Sequence, residues 1–253
     1  MTDVPPSDAL REVYEQRGGE DYAEPVVPDP TLDRKFAVLT REIAALLPVD
    51  SYLDAGCGDG RYLAALPTLG PLPRRVVGVD IAESMLATAG LACDRVELVP
   101  ELVRANLERM PLRDAEFDLV VSVQVVEHLL DAEAGVRELV RVLRPGGVLL
   151  ISTDNRRRLI TRALNGPRWL LASALRKRNF RDRFTFPHRT FSRAELVNLL
   201  RVAGLEIEHT RTFRFSLVDA SPRVRRTLNK IDARLPDLGV GDILVAVARR
   251  PLP

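Results

Sequence analysis

Between Ser51 and Ala65 the chain reads SYLDAGCGDGRYLAA, and this stretch constrains the fold more than any other. A short apolar run carries Asp54 to the end of a strand. A turn follows with glycines at 56, 58 and 60, and a helical pattern starts at Arg61. A glycine-rich strand-to-helix turn lets a ligand approach bare backbone, and the helix N-terminus offers unpaired N–H donors. A carboxylate at the strand end favours hydroxyl or ammonium groups over phosphate. The combination predicts a site for a nucleoside with a positively charged tail.

The spacing downstream extends that expectation. Arg75 to Val79 is an apolar strand closed by Asp80, twenty residues after Gly60. A parallel neighbour strand brings such a carboxylate to ribose hydroxyls, and a carboxylate can accept from both. Asp80 can alternatively cap the helix expected over Ala82 to Gly90. Ile81 and Met85 are placed to flank a base. Phe117 to Val123 is the clearest strand, a largely apolar run after Asp118 that suits burial on both faces. It leads into Gln124-Val125-Val126-Glu127-His128-Leu129, and ligand chemistry in such sheets gathers at the carboxyl ends of strands.

Asp54-Ala55-Gly56-Cys57-Gly58-Asp59-Gly60 resembles the first motif of class I S-adenosylmethionine-dependent methyltransferases. The resemblance covers roughly Thr31 to Arg249 and includes Asn106, Met110-Pro111-Leu112 and the Leu143-Arg144-Pro145-Gly146-Gly147 turn. It implies S-adenosyl-L-methionine as cofactor. It also implies an α/β fold: a Rossmann-like, seven-stranded, mostly parallel sheet with an antiparallel strand 7 and a helical basic insertion after strand 5. The expected cofactor residues are Asp54, Gly56, Gly58, Gly60, Asp80, Ile81, Met85, Asn106, Leu107 and Val123. Asn106 stands where the family more often has Asp, and its amide oxygen can still accept from the adenine amino group. Cys57 is expected to fill space in the turn.

Methyl transfer asks the protein to align the acceptor, exclude water and, where needed, remove a proton. His128 is the best-placed base, since an unperturbed imidazole titrates near pH ~6.5. Glu127 and His188 complete the expected catalytic set, and His209 is expected to be structural. Gln124-x-x-Glu127-His128 is also similar to the Glu-x-x-Glu-His of ubiquinone-biosynthesis O-methyltransferases, which is linked to a divalent metal. Gln124 replaces the first Glu, and losing a hard anionic ligand weakens such a site. A metal is therefore not predicted.

The remaining signals concern organisation. Residues 1–30 are polar and proline-rich, an N-terminal arm or flap, with a short helix expected over Ser7 to Gln16. Residues 31–253 are expected to form the methyltransferase domain, with residues 155–190 as a lid-like insertion. Net charge is +2, yet Asn155 to Thr190 holds eleven Arg or Lys against the single acid Asp182. Arginines beside Trp169, Leu170 and Leu171 suit a lid, or a peripheral contact with a membrane or anionic lipid. With few aromatic groups for stacking, nucleic acid is not expected. Two cysteines exclude a disulfide scaffold and fit a cytoplasmic protein, and neither a signal core nor a transmembrane run is read. The expected acceptor is a small molecule, hydrophobic or lipid-like, methylated at oxygen. An RNA-directed methyltransferase and a non-catalytic binding protein are the alternatives.

Overall fold

The computed structural model describes residues 11–16, 28–157, 189–213, 222–234 and 236–253. Most of the expected insertion, with Trp169 and His188, lies outside the described residues, as does Tyr22.

The strands are β1 (Ser51–Ala55), β2 (Arg75–Asp80), β3 (Glu101–Arg104), β4 (Phe117–Val123), β5 (Leu143–Asp154), β6 (Glu206–Phe213) and β7 (Ile243–Arg249). They form one sheet in the order β3-β2-β1-β4-β5-β7-β6. β7 runs antiparallel to both β5 and β6, and the other pairings are parallel. β1 lies between β2 and β4, so the order reverses there and a crevice opens at the carboxyl ends of these three strands.

The described helices are α1 (11–16), α2 (Arg34–Leu46), α3 (Arg61–Leu69), α4 (Glu83–Asp94), α5 (Ala132–Val142), α6 (Arg193–Val202) and α7 (Pro222–Asp232). Phe36, Leu39 and Ile43 of α2, Leu63 and Leu66 of α3, and Leu86 of α4 bury one face of the sheet. Val136 and Leu139 of α5 and Leu196 and Leu200 of α6 bury the other. A strand covered on both faces has no solvent side, which is why β4 reads as a largely apolar run. Each fully buried leucine contributes roughly 1.5–3 kcal/mol.

Local signals account for most boundaries. Asp33 caps α2 by accepting from Phe36 N at 3.0 Å, and Ser192 with Glu195 forms the capping box expected for α6. α3 runs through Pro67 to Leu69, and the Thr68 hydroxyl donates to Ala65 O at 2.8 Å in that last turn. Of the two apolar pieces near Pro100, only the second is a strand. Val96 and Leu98 instead close the end of α4 by donating to Cys93 O. α7 lies between β6 and β7.

The two described ends of the 155–190 stretch meet beside β5. Asn155 bridges Phe191, and Arg156 N donates to Phe191 O at 2.8 Å. Asn155 Nδ2 donates to Gly241 O at 2.7 Å, pinning that exit to the chain before β7. The returning chain passes Glu127, whose carbonyl accepts from Arg189 N at 3.0 Å.

Candidate active site

The crevice holds a cavity of about 280 Å³ between the glycine turn, the end of β2 and the end of β4. Gly56 and Gly58 form its floor. Asp80, Ile81, Met85, Asn106 and Leu107 line one side, and Val123, Gln124, Val125, His128 and Leu129 the other. Ten residues were expected to hold a cofactor. Of these, Asp54 and Gly60 alone do not line the cavity.

Asp80 is fixed by two backbone donors. Its Oδ2 accepts from Gly58 N at 2.9 Å and its Oδ1 from Ala82 N at 3.0 Å. Asp80 is not the N-cap of α4, which is Ala82; its carboxylate fixes the turn before that helix and keeps a lone pair on each oxygen for a ligand. Burial pushes its carboxyl up, and the backbone donors at Ala82, Gly58 and Ile81 pull it back. Asn106 Oδ1 accepts from Glu108 N at 2.9 Å, which orients the amide at the cavity wall.

The three glycines have separate roles. All take positive φ, which strains any other residue. A Cβ on Gly60 would lie 2.7 Å from Ala89 Cα, and one on Gly56 would strike Val125. A Cβ on Gly58 would meet nothing within 4 Å. Gly60 thus lets α4 pack on the turn, whereas Gly58 keeps backbone open to the cavity. Gly58→Ala is expected to cost about 1 kcal/mol of stability and to weaken cofactor binding strongly. Gly60→Ala is expected to cost about 2–4 kcal/mol by thermal melting, because the backbone of α4 must move. Equal melting losses would refute this division.

Asp54 lies behind the lining. It is buried, and neither carboxylate oxygen has a hydrogen-bond partner. Burial foremost, then the charges of Asp80 and Asp59, push its carboxyl up to about 8. A buried carboxylate without donors is costly. It must either hold a proton or meet a cation.

The family profile described as Methyltransferase domain matches residues 53–151, which run from the second half of β1 through β5 and contain nearly all of this lining. Residues 53–151 match a methyltransferase domain, and the chain has the fold of class I S-adenosylmethionine-dependent methyltransferases. A Mycolicibacterium smegmatis protein named "Probable S-adenosylmethionine-dependent methyltransferase" is 37% identical over 70% of this chain. The match spans 60% of that relative's own length, less than two thirds. A ubiquinone biosynthesis O-methyltransferase of Cereibacter sphaeroides is 29% identical, over 67% of this chain and 66% of its own. A SAM-dependent methyltransferase structure from Thermotoga maritima superposes with a TM-score of 0.60. It covers 95% of this chain and 99% of its own at 21% identity, a likeness of fold.

The methyltransferase domain's cofactor fits the residues present. The open side of Gly58 admits a ligand against bare backbone, Asp80 retains acceptors for two hydroxyls, and the orphaned carboxylate of Asp54, behind the lining, is left to balance a positive charge. Asp59, Arg61 and Tyr62, which the sequence did not place in the site, also line the cavity, as do Lys35 and, from the N-terminal arm, Tyr14. Asp59 pairs with Arg61, Nη2 to Oδ2 at 2.5 Å, and this pair fixes the start of α3.

The expected catalytic residues separate. His128 lines the cavity, with its ring centroid 5.9 Å from that of Tyr14 in an edge-on contact. Glu127 is buried beside it but does not line the cavity. Its Oε2 accepts from Thr153 Oγ1 at 2.9 Å, and burial pushes the carboxyl up to about 8. His188 lies outside the described residues. His209 sits on β6 with Nε2 3.1 Å from Glu42 Oε2, on the sheet's far edge. A divalent metal does not fit: its one anionic ligand would be Glu127, which is turned to Thr153. Among the described residues no three His, Cys, Asp or Glu side chains converge on a metal position.

Proposed function

We propose that this chain is an enzyme that transfers the methyl group of S-adenosylmethionine to an oxygen of a small, hydrophobic or lipid-like acceptor. The observation that carries the reading is the polarity of the cavity. Ribose- and base-type partners stand on the β2 side, and the His128 imidazole stands on the β4 side. The bound cofactor would supply a sulfonium methyl and a neutral leaving thioether. Asp80 would hold the ribose, Ile81, Met85 and Leu107 the base, and Asp54 the ammonium group. His128 would take the acceptor hydroxyl's proton as its oxygen attacks. Glu127, bonded to Thr153, would hold the turn that carries His128 rather than enter the reaction. The low volume and apolar walls would exclude water and hold the acceptor in line.

The acceptor class rests on three supports. The ubiquinone biosynthesis O-methyltransferase is a relative. The basic and apolar stretch 155–190 combines arginines with Trp169 and leucines. Its returning end is tied to the His128 turn through Arg189 N and Glu127 O. We assign it as a lid that also meets an anionic lipid surface. No described helix is long and apolar enough to cross a membrane.

Calorimetry with S-adenosylhomocysteine and with NAD tests the cofactor, and sedimentation with anionic vesicles tests the surface. Micromolar binding of S-adenosylhomocysteine, none of NAD, and vesicle binding that falls steeply with salt are expected. Binding of NAD alone would overturn the enzyme reading. Indifference to anionic vesicles at low salt would remove the lipid contact.

A further inference from the structure

Helix α4 begins without a cap of its own. Its N-cap residue is Ala82, which has no side-chain acceptor for the free N–H groups of the first turn. The missing acceptor arrives from sixty-eight residues earlier. Glu15 Oε1 accepts from Glu83 N at 2.8 Å, and Glu15 Oε2 accepts from Ser84 N at 2.9 Å. The Ser84 hydroxyl donates back to Glu15 O at 3.0 Å. Arg104 Nη2 donates to Glu15 Oε1 at 3.1 Å, and Arg104 Nε reaches Ile81 O at 3.4 Å. The carboxylate therefore sits on the positive end of a helix with an arginine beside it, and its pKa lies below the usual value.

The neighbouring residue faces the other rim. Tyr14 lines the cavity and meets His128 edge-on. Two consecutive residues of α1 thus touch the two sides of the crevice: Glu15 the turn that follows Asp80, Tyr14 the turn that follows β4. The short helix bridges the cavity mouth, and two bidentate-type backbone bonds with one ion pair hold it there. An exposed ion pair alone would hold little. Capping two orphan N–H groups is the larger contribution.

We infer that Glu15 is a positioning residue: it supplies in trans the N-cap that α4 lacks and so straps α1 across the cavity, setting Tyr14 against His128. The strap couples the two rims. With Glu15 seated, the Asp80–Ser84 turn and the His128 turn are held in one arrangement around whatever the cavity encloses. With Glu15 released, α4 loses its cap and Tyr14 leaves His128 open to solvent. A nucleoside ligand enters and leaves only when the strap is unseated. The inference builds on the methyltransferase reading for the identity of that ligand and on the geometry alone for the strap.

Two measurements on the full-length chain decide it. The first is the rate of tryptic cleavage after Arg11, within α1, followed by fragment mass without any ligand. The second is the dissociation rate of S-adenosylhomocysteine from immobilised protein. Glu15→Ala is expected to raise both about tenfold. Glu15→Gln, whose amide keeps one acceptor oxygen, is expected to fall between wild type and Glu15→Ala. Arg104→Ala is expected to raise cleavage by a smaller factor, about two- to threefold. Unchanged cleavage and dissociation in Glu15→Ala overturn the strap. Should that variant fail to fold, Glu15→Gln decides, and rates equal to wild type overturn the inference. If the wild-type chain does not bind S-adenosylhomocysteine, the methyltransferase reading falls, while the cleavage rates still test the strap.

Discussion

Replacing His128 by alanine is expected to lower turnover by about 10²- to 10⁴-fold while changing the affinity for S-adenosylhomocysteine less than about threefold. The separation follows from where the imidazole stands. It lines the β4 side of the cavity, away from the side built by Asp80, Ile81 and Asn106. Its backbone is fixed by the short 3-10 turn Val126–His128, in which His128 N donates to Val125 O at 2.8 Å. The ring is held against Tyr14. Removing the imidazole therefore removes a proton acceptor without disturbing the glycine turn or Asp80. Single-turnover methyl transfer with saturating cofactor reads the chemical step, and calorimetry reads the binding. Added imidazole is expected to restore part of the rate to His128→Ala, since the deletion leaves a space of its own shape. Full turnover in His128→Ala would exclude it as the base. A parallel collapse of cofactor affinity would make it a binding residue instead.

The contrast between His128 and Glu127 shows how far sequence reasoning reached. Adjacent residues at the end of a buried strand were both expected at the rim. The 3-10 turn points their side chains apart, one to the cavity and one to Thr153. A period-2 strand pattern does not extend into such a turn, so the divergence was not legible. The strands themselves were. β1 and β4 have the expected bounds because they are short, largely apolar runs buried on both faces, followed by Gly56 and Gln124. β5 extends beyond its apolar run because Leu143 pairs with Phe117 and Thr153 and Asp154 pair with β7. Those are long-range partners with no local mark. Lys35 illustrates the same limit. It belongs to an amphipathic helix whose polar side is ordinarily solvated. Only the placement of α2 against the glycine turn brings one residue of that side to the cavity. Glu15 lay in a segment with no strong period, and its role depends on a helix that lacks its own cap. That pairing spans two elements and cannot be read from either.

Changing Asp54 to asparagine is expected to weaken S-adenosylhomocysteine binding about 10- to 100-fold at pH 8 and to flatten its pH dependence. In the ligand-free protein the Asp54 carboxyl is pushed up to about 8, chiefly by burial. Near neutral pH it therefore carries a proton, and pairing with a ligand ammonium must release that proton. Affinity should rise with pH up to about 8. Above that the ligand's own amino group, with an ordinary pKa of about 7.7–8.0, loses its charge and affinity should fall again. Calorimetry in buffers of different ionisation heat is expected to show proton release on binding at pH 7 and none in Asp54→Asn. The free protein carries the opposite linkage. Because the folded pKa is raised, the native state binds more protons than the unfolded chain between pH about 4 and about 8, and stability falls as pH rises through that window. Glu127, also pushed up to about 8, adds a slope of the same sign. Asp54→Asn should remove one of the two contributions, so the free variant melts higher than wild type at pH 8 although it binds its ligand less well. A gain in stability paired with a loss in affinity is the mark of a group kept for its ligand. Retained affinity with an unchanged slope would leave Asp54 as buried strain with no partner, and would remove the ammonium contact from the cofactor site.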